Sequence, residues 1–202
     1  MQINVESLRK VFNAVSEKMR ENCDYLVSLD ARNGDGDLGL SMRDGWTAAA
    51  DSLNGCDADL GIALLGAAKA FNKAAPSTLG TIMSFWFMGA AKALKGNSEV
   101  TLEDFAAAMG KGIEQIEVKA GSKPGEKTVL DALDPAVRAV AENASDANVL
   151  KLAADAAKAG AESTKDMMPK HGRAAYYGEK GVGLVDGGAV AAALIFEAIS
   201  EL

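Results

Sequence analysis

Residues 29–42 read LDARNGDGDLGLSM, and the fold and function of the chain turn on what this stretch is. Gly34, Gly36 and Gly39 spell G-x-G-x-x-G, the spacing of a loop that cradles pyrophosphate with backbone N–H groups. The same loop carries Asp35 and Asp37, with Asp30 just ahead of it. Three carboxylates at the mouth of a phosphate cradle would repel the ligand. Either the loop binds no phosphate, or a cation stands between.

Two rival readings fail on spacing. A dinucleotide-binding loop needs a buried strand before the glycines and a βαβ unit around them. The residues before Gly34 are helical in pattern, and no run of alternating apolar and polar residues suggests a strand anywhere in the chain. An EF-hand starting at Asn33 would put Asn33, Asp35 and Asp37 at loop positions one, three and five. It would then place Leu38 where Gly is required and Asp44 where a bidentate Glu belongs. What remains is a hard-cation site, three carboxylates for one or two Mg²⁺ with phosphate oxygens completing the coordination. In isolation, a solvated acidic turn would read the same way.

Outward from the loop, apolar residues recur with a helical period. Leu8, Val11, Phe12, Val15 and Met19 share one face of a first helix, and the short apolar segment Tyr25 to Leu29 leads into the aspartates. Further helices are expected at about 40–53, 59–73, 79–95, 102–119, 128–142, 147–168 and 187–201. Gly96-Asn97 reads as a helix stop, and Thr101 with Asp104 as a capping box. Alanines around 106–108, 153–157 and 189–193 would let helices approach closely. The last helix (GGAVAAALIFEAISEL) is apolar nearly all round and so should be buried. With no repeat and no low-complexity linker, the expectation is all-α: a single domain spanning residues 1–202.

Bulk properties narrow the function. The chain has 49% hydrophobic and 24% charged residues, within the range of a soluble globular protein. A net charge of −7 argues against nucleic acid as the ligand. Cys23 and Cys56 lack metal-ligand spacing and read as reduced thiols. The N-terminus lacks the apolar core of a signal peptide. The uncharged run at 74–91 is interrupted by Pro76, Ser77, Thr78 and Gly80, which fits a buried helix better than a membrane span. These features predict a cytoplasmic protein that binds neither membrane nor nucleic acid.

Three further stretches break the helical rhythm: APSTLGT (75–81), AGSKPGEKT (120–128) and HGRAAYYGEKGVGLVDGG (171–188). The last is long for a bundle connection, and long loops tend to carry function. Ser77-Thr78 ahead of a helix offers hydroxyls and free N–H groups to phosphate, or is an ordinary N-cap. Arg173, among small residues, could hold a guanidinium against phosphate, or lie on the surface. Asp186-Gly187-Gly188 supplies an acceptor and tight backbone, or a helix cap. The lysines of GSKPGEKT read equally well as solvated. His171 has no nucleophile motif beside it and reads as a loop residue. Met167-Met168 and Phe85/Trp86/Phe87 read as core, while Trp46 and Tyr176-Tyr177 suit either packing or an adenine face.

Taken together and in order, these loops resemble a known family. The pattern is Asp30…Gly-Asp35-Gly-Asp37-x-Gly39, then Ala-Pro-Ser77-Thr78-Leu-Gly80-Thr, then Pro-Gly125-x-Lys127-Thr128-x-x-Asp131, then Gly-Arg173-Ala-x-Tyr176-x-Gly178, then Asp186-x-Gly188-Ala. It is similar to the nucleotide-binding L subunit of dihydroxyacetone kinase, phosphoenolpyruvate-dependent or ATP-dependent. The resemblance implies an antiparallel barrel of about eight helices with ADP or ATP and two Mg²⁺ at one end. It makes Asp30, Asp35 and Asp37 the metal ligands. Leu38, Gly39, Leu40, Ser41, Ser77, Thr78, Gly121, Val129, Arg173, Asp186, Gly187 and Gly188 would line the nucleotide, and Arg173 would face the transferring phosphoryl group. It also implies a separate sugar-binding K-type subunit, a phosphocarrier subunit if phosphoenolpyruvate is the donor, and a possible homodimer. Leu38 stands where the family usually has His, Gly187 where Pro is common, and Lys180 where Arg is. The K-type subunit would dock on a rim including Arg43, Lys127, Lys170 and Lys180. The alternative is a nucleotide-binding interaction or regulatory module without turnover of its own.

Overall fold

The computed structural model describes residues 1–202. Nine α-helices account for most of the chain: α1 (Val5–Glu21), α2 (Cys23–Asp30), α3 (Leu38–Ser52), α4 (Leu60–Ala74), α5 (Thr78–Ala93), α6 (Leu102–Ala120), α7 (Leu130–Glu142), α8 (Val149–Ser163) and α9 (Gly187–Ser200). Only Asn22 separates α1 from α2, so the two form one broken span. Each later helix packs on the next, and α9 packs back on α1, which also meets α3. The result is a closed ring of eight spans.

Short connections between packed neighbours force successive spans to alternate in direction. The turns at 31–37, 75–77, 121–129 and 164–186 therefore gather at one end. All four stretches singled out for chemistry fall on that rim. At the opposite end, two strands that the sequence pattern missed, β1 (Gln2–Asn4) and β2 (Glu99–Thr101), pair antiparallel with Ile3 opposite Val100. Each is three residues long, too short for alternation to register as a pattern.

Local signals set the helix ends. Asn4, Asp59, Ser77, Thr101 and Asp186 each accept a backbone N–H of the helix they precede, which satisfies donors that helical bonding leaves free. In the capping box, Thr101 accepts from Asp104 N at 3.1 Å while its hydroxyl donates to the Asp104 carboxylate at 2.7 Å. The eighth span ends sooner than the expected 147–168: α8 stops at Ser163, a 3₁₀ turn covers Thr164–Asp166, and Met168 is exposed. It is therefore not core. The segment Arg173–Gly181 is also 3₁₀ in character, kinked at Gly178.

Inside the ring, Phe12, Trp46, Phe71 and Phe87, from α1, α3, α4 and α5, meet at ring-centroid separations of 5.1 to 5.9 Å. Trp46 is thus a core residue, 1% exposed. Small side chains bring the outer spans together, with Ala153, Ala157 and Ala161 buried along one face of α8. Lys18 of α1 bridges Glu197 of α9 and Glu201 just after it, at 3.0 and 2.8 Å, across the closing seam. No helix is long and apolar enough to cross a membrane.

Candidate nucleotide and metal site

The acidic loop is built around Asp30, the last residue of α2. Its Oδ2 accepts the backbone N–H groups of Gly36 at 2.7 Å, Asp37 at 3.1 Å and Leu38 at 3.4 Å. One carboxylate thus folds the loop over itself. The G-x-G-x-x-G spacing now has a cause unrelated to a phosphate cradle. A Cβ on Gly34 would lie 2.0 Å from Asp30 Oδ1, and one on Gly39 would lie 2.1 Å from the Cys23 carbonyl. Gly36 turns the chain at a φ of +78°. The glycines exist to let carboxylates and helices crowd together.

That crowding brings one carboxylate oxygen each from Asp30, Asp35 and Asp37 within 4.8 Å of one another. Partial burial, then the charges of Asp35 and Asp30, push the Asp37 carboxyl above its ordinary range. The donor set is all oxygen, anionic and convergent, and the cluster is electrostatically unsatisfied by itself. It fits a hard divalent cation.

Other loops close on this one. Arg173 Nε pairs with Asp35 Oδ2 at 2.8 Å, both side chains being largely exposed. Leu38 is buried, and its Cδ2 occupies the space beside Gly187, where an added Cβ would meet it at 2.5 Å. The Leu38 side chain is thus committed to packing, and its N–H to Asp30. Gly39 is buried too, while Leu40 is exposed at the start of α3 and Ser41 half-buried. Gly188 lies against Val129, 3.5 Å from it in the same sense. Gly121 caps α6 in the left-handed conformation. Ser77 spends its hydroxyl on Gly80 N at 3.1 Å, leaving Thr78 exposed on the first turn of α5. An ion pair thus joins Asp35 to Arg173, Leu38 packs beside Gly187, and Val129 lies next to Gly188. Ser77 and Thr78 share the rim through the position of α5 alone.

Asp186 caps α9, accepting Ala189 N at 2.8 Å. Its carboxyl is enclosed, and burial pushes it up to about 6, with Asp131 adding to the rise and Lys127 opposing it. Tyr176 is 92% exposed and Tyr177 largely so, so packing does not explain this pair. His171 is more than a loop residue: its Nε2 lies 2.7 Å from a Glu126 oxygen. That bond first, and the Lys123 amide second, hold the Glu126 carboxyl down to about 2.

Lys127 corrects the expectation of a solvated docking charge. It is 2% exposed and donates to the carbonyls of Thr164 and Leu184, so it cannot belong to a docking rim. Asp131, also buried, accepts the N–H groups of Gly125 and Thr128. The Thr128-x-x-Asp131 spacing is a capping-box signal that could have revealed this anchor. A cavity of about 330 Å³ lies toward the opposite end of the ring, among residues such as Ile3, Leu8, Phe105 and Ile199. Its lining is almost wholly apolar and offers nothing to hold phosphate.

The comparisons with known proteins agree with this geometry. A family model described as the DAK2 domain matches residues 32–201. The chain is 28% identical over 182 residues to the ADP-binding subunit DhaL of the PEP-dependent dihydroxyacetone kinase of Escherichia coli (strain K12), across 88% of this chain and 87% of that one. It is 30% identical over 190 residues to the corresponding subunit of PEP-dependent dihydroxyacetone kinase 1 of Listeria innocua, across 94% and 92%. A D-erythrulose kinase of Mycolicibacterium smegmatis is 30% identical over 199 residues, which make up 95% of this chain but 34% of that protein. Among solved structures, the dihydroxyacetone kinase from C. freundii in complex with AMP-PNP and Mg²⁺ superposes with a TM-score of 0.76 at 27% identity, covering 96% of this chain and 33% of that one.

Proposed function

The chain belongs to the DAK2 domain family, a family of kinases, and from that premise we propose that it is the nucleotide-binding subunit of a kinase for dihydroxyacetone or a related small ketose. The observation that carries the proposal is the convergence of three carboxylate oxygens within 4.8 Å on the rim of the helical ring. Residues 1–202 act as one nucleotide-binding unit. Asp30, Asp35 and Asp37 hold one or two Mg²⁺, and ADP or ATP lies along the rim. Bound Mg²⁺ supplies positive charge to the phosphate oxygens and lines them up for transfer.

The protein's own groups do the remaining work. Asp30 keeps the loop folded through its three backbone bonds. Backbone N–H groups at the starts of α3, α5 and α9 face anionic oxygens where helix dipoles favour them. Arg173, which holds Asp35 in this structure, passes its guanidinium to the transferring phosphoryl group once charge develops there. Phosphoryl transfer asks little covalent chemistry of the protein, so positioning and charge suffice. None of these residues is suited to hold a ketose. The sugar therefore sits on a separate K-type subunit that docks over the rim and excludes water. Exposed Lys170 and Lys180 and half-buried Arg43 would help to orient it. In a phosphoenolpyruvate-dependent system, a phosphocarrier subunit would recharge the bound ADP.

The test is to incubate the chain with ATP, Mg²⁺ and dihydroxyacetone, with and without a K-type subunit, and follow sugar phosphate. Turnover should require both proteins. Repeated turnover by the chain alone would overturn the subunit assignment. Nucleotide binding without transfer to any partner-held ketose would make the protein a nucleotide-dependent interaction module instead.

A further inference from the structure

Lys127 carries two costs at once. Its ammonium is buried, 2% of the residue remaining exposed, and an unpaired charge out of water is expensive. Its backbone lies at a φ of +60°, the sole non-glycine residue with positive φ, a region that long side chains seldom adopt. Both costs persist only where surrounding contacts over-determine the position.

Those contacts are specific. Nζ donates to the Thr164 carbonyl at 2.6 Å and to the Leu184 carbonyl at 2.6 Å. Asp186, Asp131 and Asp166 surround it with negative charge. Thr164 Oγ1 in turn accepts the Asp186 N–H at 2.8 Å, and Asp131 fixes the Gly125 and Thr128 amides on either side of the lysine. Three chain segments that are remote in sequence, 121–129, 164–166 and 184–188, thus meet on one ammonium. Two of them carry residues that the family resemblance sets along the nucleotide, and so form two walls of the proposed site: Gly121 and Val129 in one, Asp186, Gly187 and Gly188 in the other. Val129 lies beside Gly188 just beyond the lysine, where an added Cβ would come to 3.5 Å from it.

We propose that Lys127 is a positioning residue for the nucleotide: a buried cation that sets the gap between the 121–129 wall and the 184–188 wall, without touching the ligand itself. The inference rests on the nucleotide-binding reading of the rim. A lysine suits the task because one ammonium has three donors and can serve two carbonyls from different segments. An apolar isostere such as Met would fill the space but leave the walls unjoined. It also leaves two buried carbonyls and the nearby carboxylates without their cation, so the ligand-free fold should lose stability, and affinities are compared at a temperature where both proteins are folded.

The experiment compares wild type with Lys127→Met, measuring the ADP dissociation constant with Mg²⁺ by calorimetry and the melting temperature without nucleotide. The expected result is an affinity about 10- to 100-fold weaker, the scale seen when a supporting residue behind a site is removed, measured well below a lowered ligand-free melting temperature so that both proteins are fully folded. Equal affinities in the two proteins would overturn the proposal and leave the nucleotide-binding reading intact. An affinity loss explained entirely by a smaller folded fraction would also overturn it, reducing the lysine to a fold element. Failure of wild type to bind ADP would overturn the reading of the rim and this inference with it. If Lys127→Met does not fold, hydrogen exchange on wild type decides. The amides of 125–128 and 184–189 should open as one unit and be protected together by ADP with Mg²⁺; independent opening would contradict the clamp.

Discussion

Asp30 and its two neighbours do different jobs at close range. Asp30 spends one oxygen on three backbone amides, so removing it should unfold the loop as well as empty it. Asp35 and Asp37 make no such backbone bonds and exist to present charge. Asp35→Ala is therefore the cleaner test: metal and nucleotide should be lost together while the ligand-free fold survives. Stoichiometric ADP and Mg²⁺ retained by that variant, measured by equilibrium dialysis, would refute the ligand assignment. Arg173→Ala should behave oppositely. Nucleotide should remain bound while transfer to a partner-held ketose slows by about 10³-fold, the lower end of what arginines contribute in phosphoryl transfer. Equal losses in binding and rate would make Arg173 a plain phosphate clamp. The acidic triplet was legible because it is local, eight positions from end to end. Lys127 was not, because its burial depends on carbonyls 37 and 57 residues further along the chain. No local pattern carries that information.

Helix α9 joins fold to site. Asp186 caps its first turn, and burial raises that carboxyl from an ordinary 3.8 to about 6. A carboxyl whose folded value is raised contributes stability that is fully present below its unfolded value and is lost as pH rises through its folded value. The stability of wild type relative to Asp186→Asn should therefore fall by roughly 2 kcal/mol between pH 4 and pH 7, with Asn still able to cap the helix. Urea unfolding across that range measures it, and a difference that does not change with pH would remove the case for a buried carboxyl. Most helices were readable beforehand because apolar period and cap residues both act within a few positions, as at Ser77, Thr101 and Asp186. The early end of α8 was less so. Thr164 turns its hydroxyl to Ala161 O and to Asp186 N, and the second of those bonds is tertiary.

The ring as a whole was beyond composition and periodicity. Only the order of the loop motifs, through the family they resemble, pointed to a barrel with its chemistry at one end. Closure depends on α9 returning to α1, a contact that spans nearly the full sequence. The payoff of this geometry is that four turns converge without any one of them being a complete site. A ligand that bridges them should stabilise the molecule: at 100 times its dissociation constant the gain is ~2.7 kcal/mol. EDTA added to the nucleotide-loaded protein should accordingly lower its melting temperature, and an unchanged value would count against bound metal. The most direct test of the central claim, that the acidic triplet binds nucleotide through a divalent cation, is calorimetric titration of ADP into ligand-stripped protein with and without Mg²⁺. The account predicts saturable one-site binding that requires Mg²⁺ and is absent from Asp35→Ala; ADP binding of equal strength in EDTA, or in Asp35→Ala, would contradict it.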